Sequence, residues 1–298
     1  MNRDARSAPA WAKAVPAVFV VLWSSGFIGC KAGLMDAGPF TFLFLRFGLS
    51  AMLLFVIAWL VGARWPATPR EIGHIVVAGI LLHATYLGPN FYAVSRGVPV
   101  GINALVGALQ PLLTAFLANR FLGERVGPLQ WLGLTLGLAG IVMVLFDKLA
   151  FDQALWPEFL GTIGALVSIT VGTLYQRDRC PNMDLRSGTA IQFAAATLVI
   201  ALPLAAFEGW QVDWTPRVGI ALGYLVAMSI TIYAMLIWLF RHGAATRVAT
   251  LFYLVPPVTS TAAWILFGEQ LGVLALAGMA VTVAGVALAA RKPRAPTL

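Results

Sequence analysis

Ten apolar stretches of roughly 18 to 24 residues, separated by short connections, limit what this chain can fold into. They cover residues 15–35, 40–61, 72–94, 98–118, 129–146, 159–176, 187–207, 218–240, 244–267 and 273–290. A helix rises about 1.5 Å per residue, so each stretch spans the hydrocarbon of a bilayer, about 30 Å thick. Barrel strands would alternate apolar and polar residues with a period of two, and these stretches do not. Composition supports the same conclusion: 60% of the 298 residues are hydrophobic and 11% are charged. Soluble domains carry about 25% charged residues, and a chain this poor in charge cannot coat a water-facing surface. In hydrocarbon only helices or closed barrels satisfy their own backbone groups. The expected fold is an all-α integral membrane protein of ten transmembrane helices.

The net charge of +8 is carried in short loops between apolar stretches, not on a soluble domain, so a nucleic-acid partner is excluded. Alternate loops differ sharply in charge. The side holding both termini has Arg3, Arg6, Lys13, Arg64, Arg70, Arg120, Arg125, Arg177, Arg179, Arg186, Arg241, Arg247, Arg291, Lys292 and Arg294, while the other has Arg96, Lys148 and Arg217. By the positive-inside rule both termini face the cytoplasm. Cys30 and Cys180 are too few for a disulfide framework or a metal set. The basic segment 1–14 precedes an apolar stretch too long for a signal-peptide core and without a small-residue cleavage site, so it reads as a retained first span.

Offsetting the chain by 145 residues aligns two halves without a gap. The matched residues include Pro111 with Pro256, Thr114 with Thr259, Gly123-Glu124 with Gly268-Glu269, Gly127 with Gly272, Gly133 with Gly278 and Gly140 with Gly285. Five helices per copy is an odd number, so the second copy enters the membrane from the opposite side. The expected organisation is a first repeat at 15–146, a linker at 147–158 and an inverted second repeat at 159–290. Inverted repeats are characteristic of secondary transporters, whose substrate sites lie near the midplane between the repeats.

The residues that carry the repeat also carry a family resemblance. The first half reads Trp23-Ser-Ser-Gly-Phe-Ile-Gly-Cys-Lys31, Phe44-Leu-Arg46-Phe47, and Ala108-Leu-Gln-Pro111 through Leu122-Gly-Glu124-Arg. The second has Leu254-Val-Pro256 through Phe267-Gly-Glu269. Together they resemble the EamA-type branch of the drug/metabolite transporter superfamily over about residues 15 to 290. The resemblance implies ten helices, cytoplasmic termini, a central cavity with alternating access, and export of amino acids, metabolites or drugs. The first helix of the second half departs from the pattern: Ser168 to Gln176 lacks the tryptophan and lysine of the first copy.

Several residues are candidates for the work. Lys31 and Arg46 are the cations within the spans. They either hold helix ends or form a periplasmic gate that attracts anionic groups. Glu124 and Glu269 sit at helix–helix turns, where each is expected to accept N–H bonds at the start of the following helix. His83, near the centre of the third span, shares a helical face with Tyr86 and Asn90 at i+3 and i+7. Its imidazole is either a hydrogen-bonded core residue or part of the cavity lining with protonation coupled to transport. Trp23, Ser24, Tyr92, Asn103, Gln110, Ser168, Thr170, Tyr175, Gln192, Tyr224, Ser229, Tyr233, Trp238, Tyr253 and Trp264 add aromatic and neutral polar groups, with Tyr175, Trp238 and Trp264 close to span ends. This mixture suits a partly apolar or zwitterionic solute, with amino acids bearing aromatic or other hydrophobic side chains favoured. Pro111 and Pro256 fall inside spans and are expected to kink them, and Gly133, Gly137, Gly140, Gly278 and Gly285 to allow close helix approach.

Rival functions lack their signatures. There is no HExxH, intramembrane aspartate pair, nucleophile–base motif or Walker loop, which argues against a membrane enzyme or an ATP-driven pump. A channel or a nucleotide-sugar carrier of the same superfamily are the alternatives. No cofactor is expected. The expected partners are a small-molecule substrate and the lipid bilayer, with the chain either a monomer or a homodimer.

Overall fold

The computed structural model describes residues 10–110, 112–114, 116–117, 127–149, 156–242, 254–269 and 272–289. Within them the chain is helical apart from short connections and one isolated antiparallel bridge between Ala37 and Val212. In chain order the helices are α1 (Ala10–Gly33), α2 (Pro39–Leu60), α3 (Pro69–Ser95), α4 (Val100–Gly107), α5 (Pro128–Leu149), α6 (Trp156–Arg179), α7 (Leu185–Glu208), α8 (Pro216–His242), α9 (Val255–Phe267) and α10 (Val273–Ala289).

Local chemistry sets the helix ends. Pro39 and Pro69 open α2 and α3, where a missing N–H costs no intrahelical bond. The Thr68 hydroxyl accepts the Glu71 N–H at 3.2 Å and Glu71 reaches back to the Ala67 N–H at 2.9 Å, a reciprocal cap. Gly268 ends α9 at φ +65°, the left-handed conformation glycine adopts without a Cβ penalty. In α4 the helix tightens after Gly107: the Leu109 N–H bonds to Val106 O at 3.1 Å, an i→i−3 step. Within the expected span 98–118 the described helix thus ends at Gly107, and Ala108 and Leu109 form a turn. The linker expected at 147–158 is eroded from both sides, with α5 running to Leu149 and α6 starting at Trp156.

Large apolar side chains stand on the outside of the molecule while several polar ones are buried. Phe207, Trp59, Leu198 and Ile220 are each more than 70% exposed, whereas Ser50, Thr259, Thr282 and Gln192 are at most 1% exposed. A water-soluble fold would reverse that order. Among the described residues, α2, α3, α6, α7 and the Ala14–Gly33 part of α1 are long and apolar enough to cross a bilayer. This is a multi-pass membrane protein.

Helix pairing joins one half to the other. α5 packs on α10, α2 on α7, α4 on α9, α1 on α8 and α3 on α6. Exchanging each helix for the one five later returns the same set of pairs, the relation expected of two repeats about a twofold axis. The α5–α10 contact is the tightest case. A Cβ on Gly140 would lie 2.4 Å from Gly278 O, and one on Gly285 2.7 Å from Gly137 N. These are the glycines that the sequence marks for close approach. Thr282 completes the seam, its hydroxyl donating to Gly137 O of α5 at 3.4 Å.

Candidate functional site

The site begins with a defect in α3. Pro89 sits inside this helix and removes the N–H that Thr85 O would accept. Just before Thr85 the backbone widens into a π turn, Ile80–Ala84, a feature that gathers at functional positions. Side chains take up the loosened carbonyls. The Thr85 hydroxyl donates to Ile80 O at 3.0 Å and the Ser168 hydroxyl to Leu81 O at 2.9 Å. A Cβ on Gly79 would fall 2.5 Å from the Gln192 Cα, so this glycine lets α3 lie directly on α7.

His83 lies in the π turn and is buried. Its ring stacks on Phe193 of α7 at 4.3 Å between centroids, with Phe47 of α2 at 6.2 Å, and the Gln192 side chain is a hydrogen-bonding neighbour. Arg46 of α2, also buried, donates to the Ser229 hydroxyl of α8 at 3.3 Å and lies 5.9 Å from the Phe91 ring centre. Its positive charge is close enough to act on Cys30 of α1 and on His83 and Tyr86 of α3. Five helices from both halves therefore converge on one cationic, aromatic and amide-bearing cluster. A charged group inside a membrane helix is costly and faces the protein interior, where it marks a substrate or ion path. Chemically, a guanidinium offers a planar fork that matches a carboxylate. The surrounding rings offer apolar surface.

Other sequence candidates make hydrogen bonds within and between helices. The Asn90 amide donates to Tyr86 O at 2.8 Å, Asn103 donates to Asn90 O at 3.1 Å, and the Thr162 hydroxyl donates to Asn103 Oδ1 at 3.0 Å. This buried relay binds α3, α4 and α6 together. His83 packs between α2 and α7, and the backbone carbonyl of Asn90 receives the bond from α4. Ser24 donates to Val255 O at 3.4 Å, Ser25 bonds the hydroxyl of Tyr224, and Gln110 donates to the Thr173 hydroxyl at 3.2 Å. Trp23 packs on Phe19 at 5.6 Å between ring centres. Pro111, Glu124 and Tyr253 lie outside the described residues, as does the side chain of Tyr233. Among the described residues no three His, Cys, Asp or Glu side chains stand close enough to hold a metal ion.

The EamA-like transporter family matches residues 13–146 and again residues 156–291. The chain belongs to the EamA-like transporter family. Relatives agree along the whole length. The uncharacterized inner membrane transporter YedA of Escherichia coli K12 is 27% identical over 271 residues, covering 90% of this chain and 87% of its own. A probable terminal-alkyne amino-acid exporter of Streptantibioticus cattleyicolor is 27% identical, covering 92% and 91%. A probable amino-acid metabolite efflux pump of E. coli K12 is 27% identical, covering 90% of each chain. A solved crystal structure shares the fold at a TM-score of 0.63 and 21% identity, over 95% of this chain and 98% of that one. The protein is a membrane transporter, and both the family and these relatives point away from an enzyme.

Two further sequence candidates fall at helix ends. The Glu269 carboxylate pairs with Lys31 Nζ at the end of α1, and Lys31 also lies 4.8 Å from the Phe267 ring centre. Pro256, with Pro257, lies in the first turn of the described α9. Glu208 escapes sequence reasoning altogether. A second π turn, Leu204–Glu208, follows Pro203 and turns this carboxylate onto the start of α2, where it accepts the Phe40 and Thr41 N–H groups at 2.9 and 2.7 Å. The proline is its only local signal, because its partners are 167 and 168 residues away.

Proposed function

We propose that the protein exports small amino acids with aromatic or other apolar side chains across a bacterial inner membrane, by alternating access of a site between two inverted repeats. The repeats run from 15 to 146 and from 159 to 290, and both termini face the cytoplasm. The reading rests chiefly on the buried cluster of Arg46, His83 and Gln192 among Phe47, Phe91 and Phe193, fed by both halves. A zwitterionic amino acid carries a carboxylate for the guanidinium and a side chain for the rings. Two of the relatives are named as amino-acid exporters, and the twofold exchange of helix pairs supplies the symmetry that alternating access uses.

The test is counterflow in proteoliposomes holding the purified protein. Preloaded phenylalanine, tyrosine, leucine or valine should accelerate uptake of the same labelled amino acid, with saturation. Linear flux without saturation would make the protein a channel. Counterflow confined to sugar nucleotides would replace the amino-acid cargo.

A further inference from the structure

Lys31 stands in the last turn of α1, and Glu269 lies just beyond α9 in the connection to α10. Their ion pair joins residues 238 apart in the chain and therefore ties the first helix of one half to the last hairpin of the other. Deeper in the same α1–α9 contact, among the described residues, Ser24 makes a neutral bond to Val255 O. The mouth of this contact is thus the charged part.

The repeat makes the pair more telling. At the 145-residue offset Glu269 corresponds to Glu124, but Lys31 corresponds to Gln176. Gln176 carries no charge, and its carbonyl accepts the Gln192 amide at 2.6 Å. The described tie between α4 and α6, the counterpart of the α1–α9 contact, is the neutral bond from Gln110 to Thr173. The α2–α7 pair is different again, because it is tied at both ends. At one end Thr41 donates to Gly209 O at 3.3 Å, and at the other Ser187 donates to Arg64 O. At its mouth the α1–α9 contact is held instead by a separable pair of charges.

We propose that Lys31 and Glu269 form the charged latch of the outward-facing gate. The pair holds the outer end shut at rest. This inference rests on the alternating-access reading above, but its test needs no substrate.

Cys30 is a built-in reporter. It is 4% exposed and precedes Lys31 directly, and Cys180→Ser leaves it as the sole cysteine of the chain. Intact cells are treated with a membrane-impermeant maleimide, and the rate of Cys30 alkylation is measured. Glu269→Gln and Lys31→Gln should each raise that rate about fivefold or more, the lower end of a typical coupling between sites. The exchanged pair Lys31→Glu with Glu269→Lys should return it towards the starting value. Three results overturn the latch: unchanged alkylation in folded single variants, an exchanged pair as reactive as the singles, or acceleration seen only in inside-out vesicles. Counterflow measured in parallel separates the two proposals. Altered alkylation without amino-acid counterflow removes the cargo and keeps the latch; saturable counterflow with unaltered alkylation does the reverse.

Discussion

The carboxylate of Glu208 accepts both the backbone N–H and the hydroxyl of Thr41, at 2.7 and 2.6 Å. The start of a helix leaves N–H groups without intrahelical partners, and in α2 no side chain of the N-cap residue Gly38 can supply one. A residue from the other half does so instead. Glu208→Ala should lower the unfolding free energy by about 1–3 kcal/mol, the cost of leaving buried donors unmade. Glu208→Gln keeps an acceptor oxygen and should lose less. The midpoint of thermal unfolding in detergent checks both, and an unchanged midpoint in Glu208→Ala would mean that the cap contributes nothing.

The α5–α10 seam makes a steric prediction. A Cβ at position 140 would meet Thr282 Oγ1 and Gly278 O within 2.4 Å, with backbone on one side and no room to yield. Gly140→Leu should destabilise the protein by about 1–3 kcal/mol or more through overpacking. Gly219 of α8 is the control, since a Cβ there meets nothing within 4 Å. Gly219→Ala should be neutral or stabilising by up to about 1 kcal/mol. Equal losses at the two positions would refute the seam.

Asp184 gives a pH dependence with a definite sign. It caps α7, accepting the Arg186 N–H at 3.0 Å and, from the α2–α3 connection, the Arg64 N–H at 3.2 Å. The Arg186 side chain, bonded to both carboxylate oxygens, holds the Asp184 carboxyl down at about 2. A folded pKa below the ordinary value contributes stability that is present above the ordinary carboxylate range and is lost as pH falls through about 2. Asp184→Asn should therefore lower stability at pH 7 and converge with the unsubstituted protein below pH 2–3. Denaturation midpoints measured across that range decide it, and a gap that widens in acid would reverse the sign.

Much of this architecture is legible in the residues, and the part that is not has one physical cause. Helical hydropathy shows which segments cross the membrane, and a gap-free repeat shows that Gly140 and Gly285 are equivalent. The close seam between α5 and α10 then fits both. Local periodicity does not say which face of one half meets the other, so the partners Lys31 with Glu269 and Thr41 with Glu208 stay hidden. Nor does it reveal a π turn, because one extra residue in Ile80–Ala84 leaves the apolar character of α3 intact. That residue matters for the site, since His83 lies in the same turn and stacks there on Phe193.

The cluster around Arg46 carries the prediction closest to function. Ser229 receives its guanidinium at 3.3 Å while donating its own hydrogen to Leu225 O at 2.8 Å, so the serine works as a fixed acceptor that orients the fork. If the fork receives the substrate carboxylate, charge alone is insufficient, because lysine presents a point charge without the planar pair of donors. Arg46→Gln should lower kcat/KM for phenylalanine counterflow by at least about tenfold, and Arg46→Lys should recover only part of it. Ser229→Ala should raise KM more than it lowers kcat, since it loosens binding geometry and removes no charge. The carboxylate-free analogue phenethylamine separates recognition from folding. Its flux should be insensitive to Arg46→Gln, and a parallel loss for the amine would assign Arg46 to the scaffold.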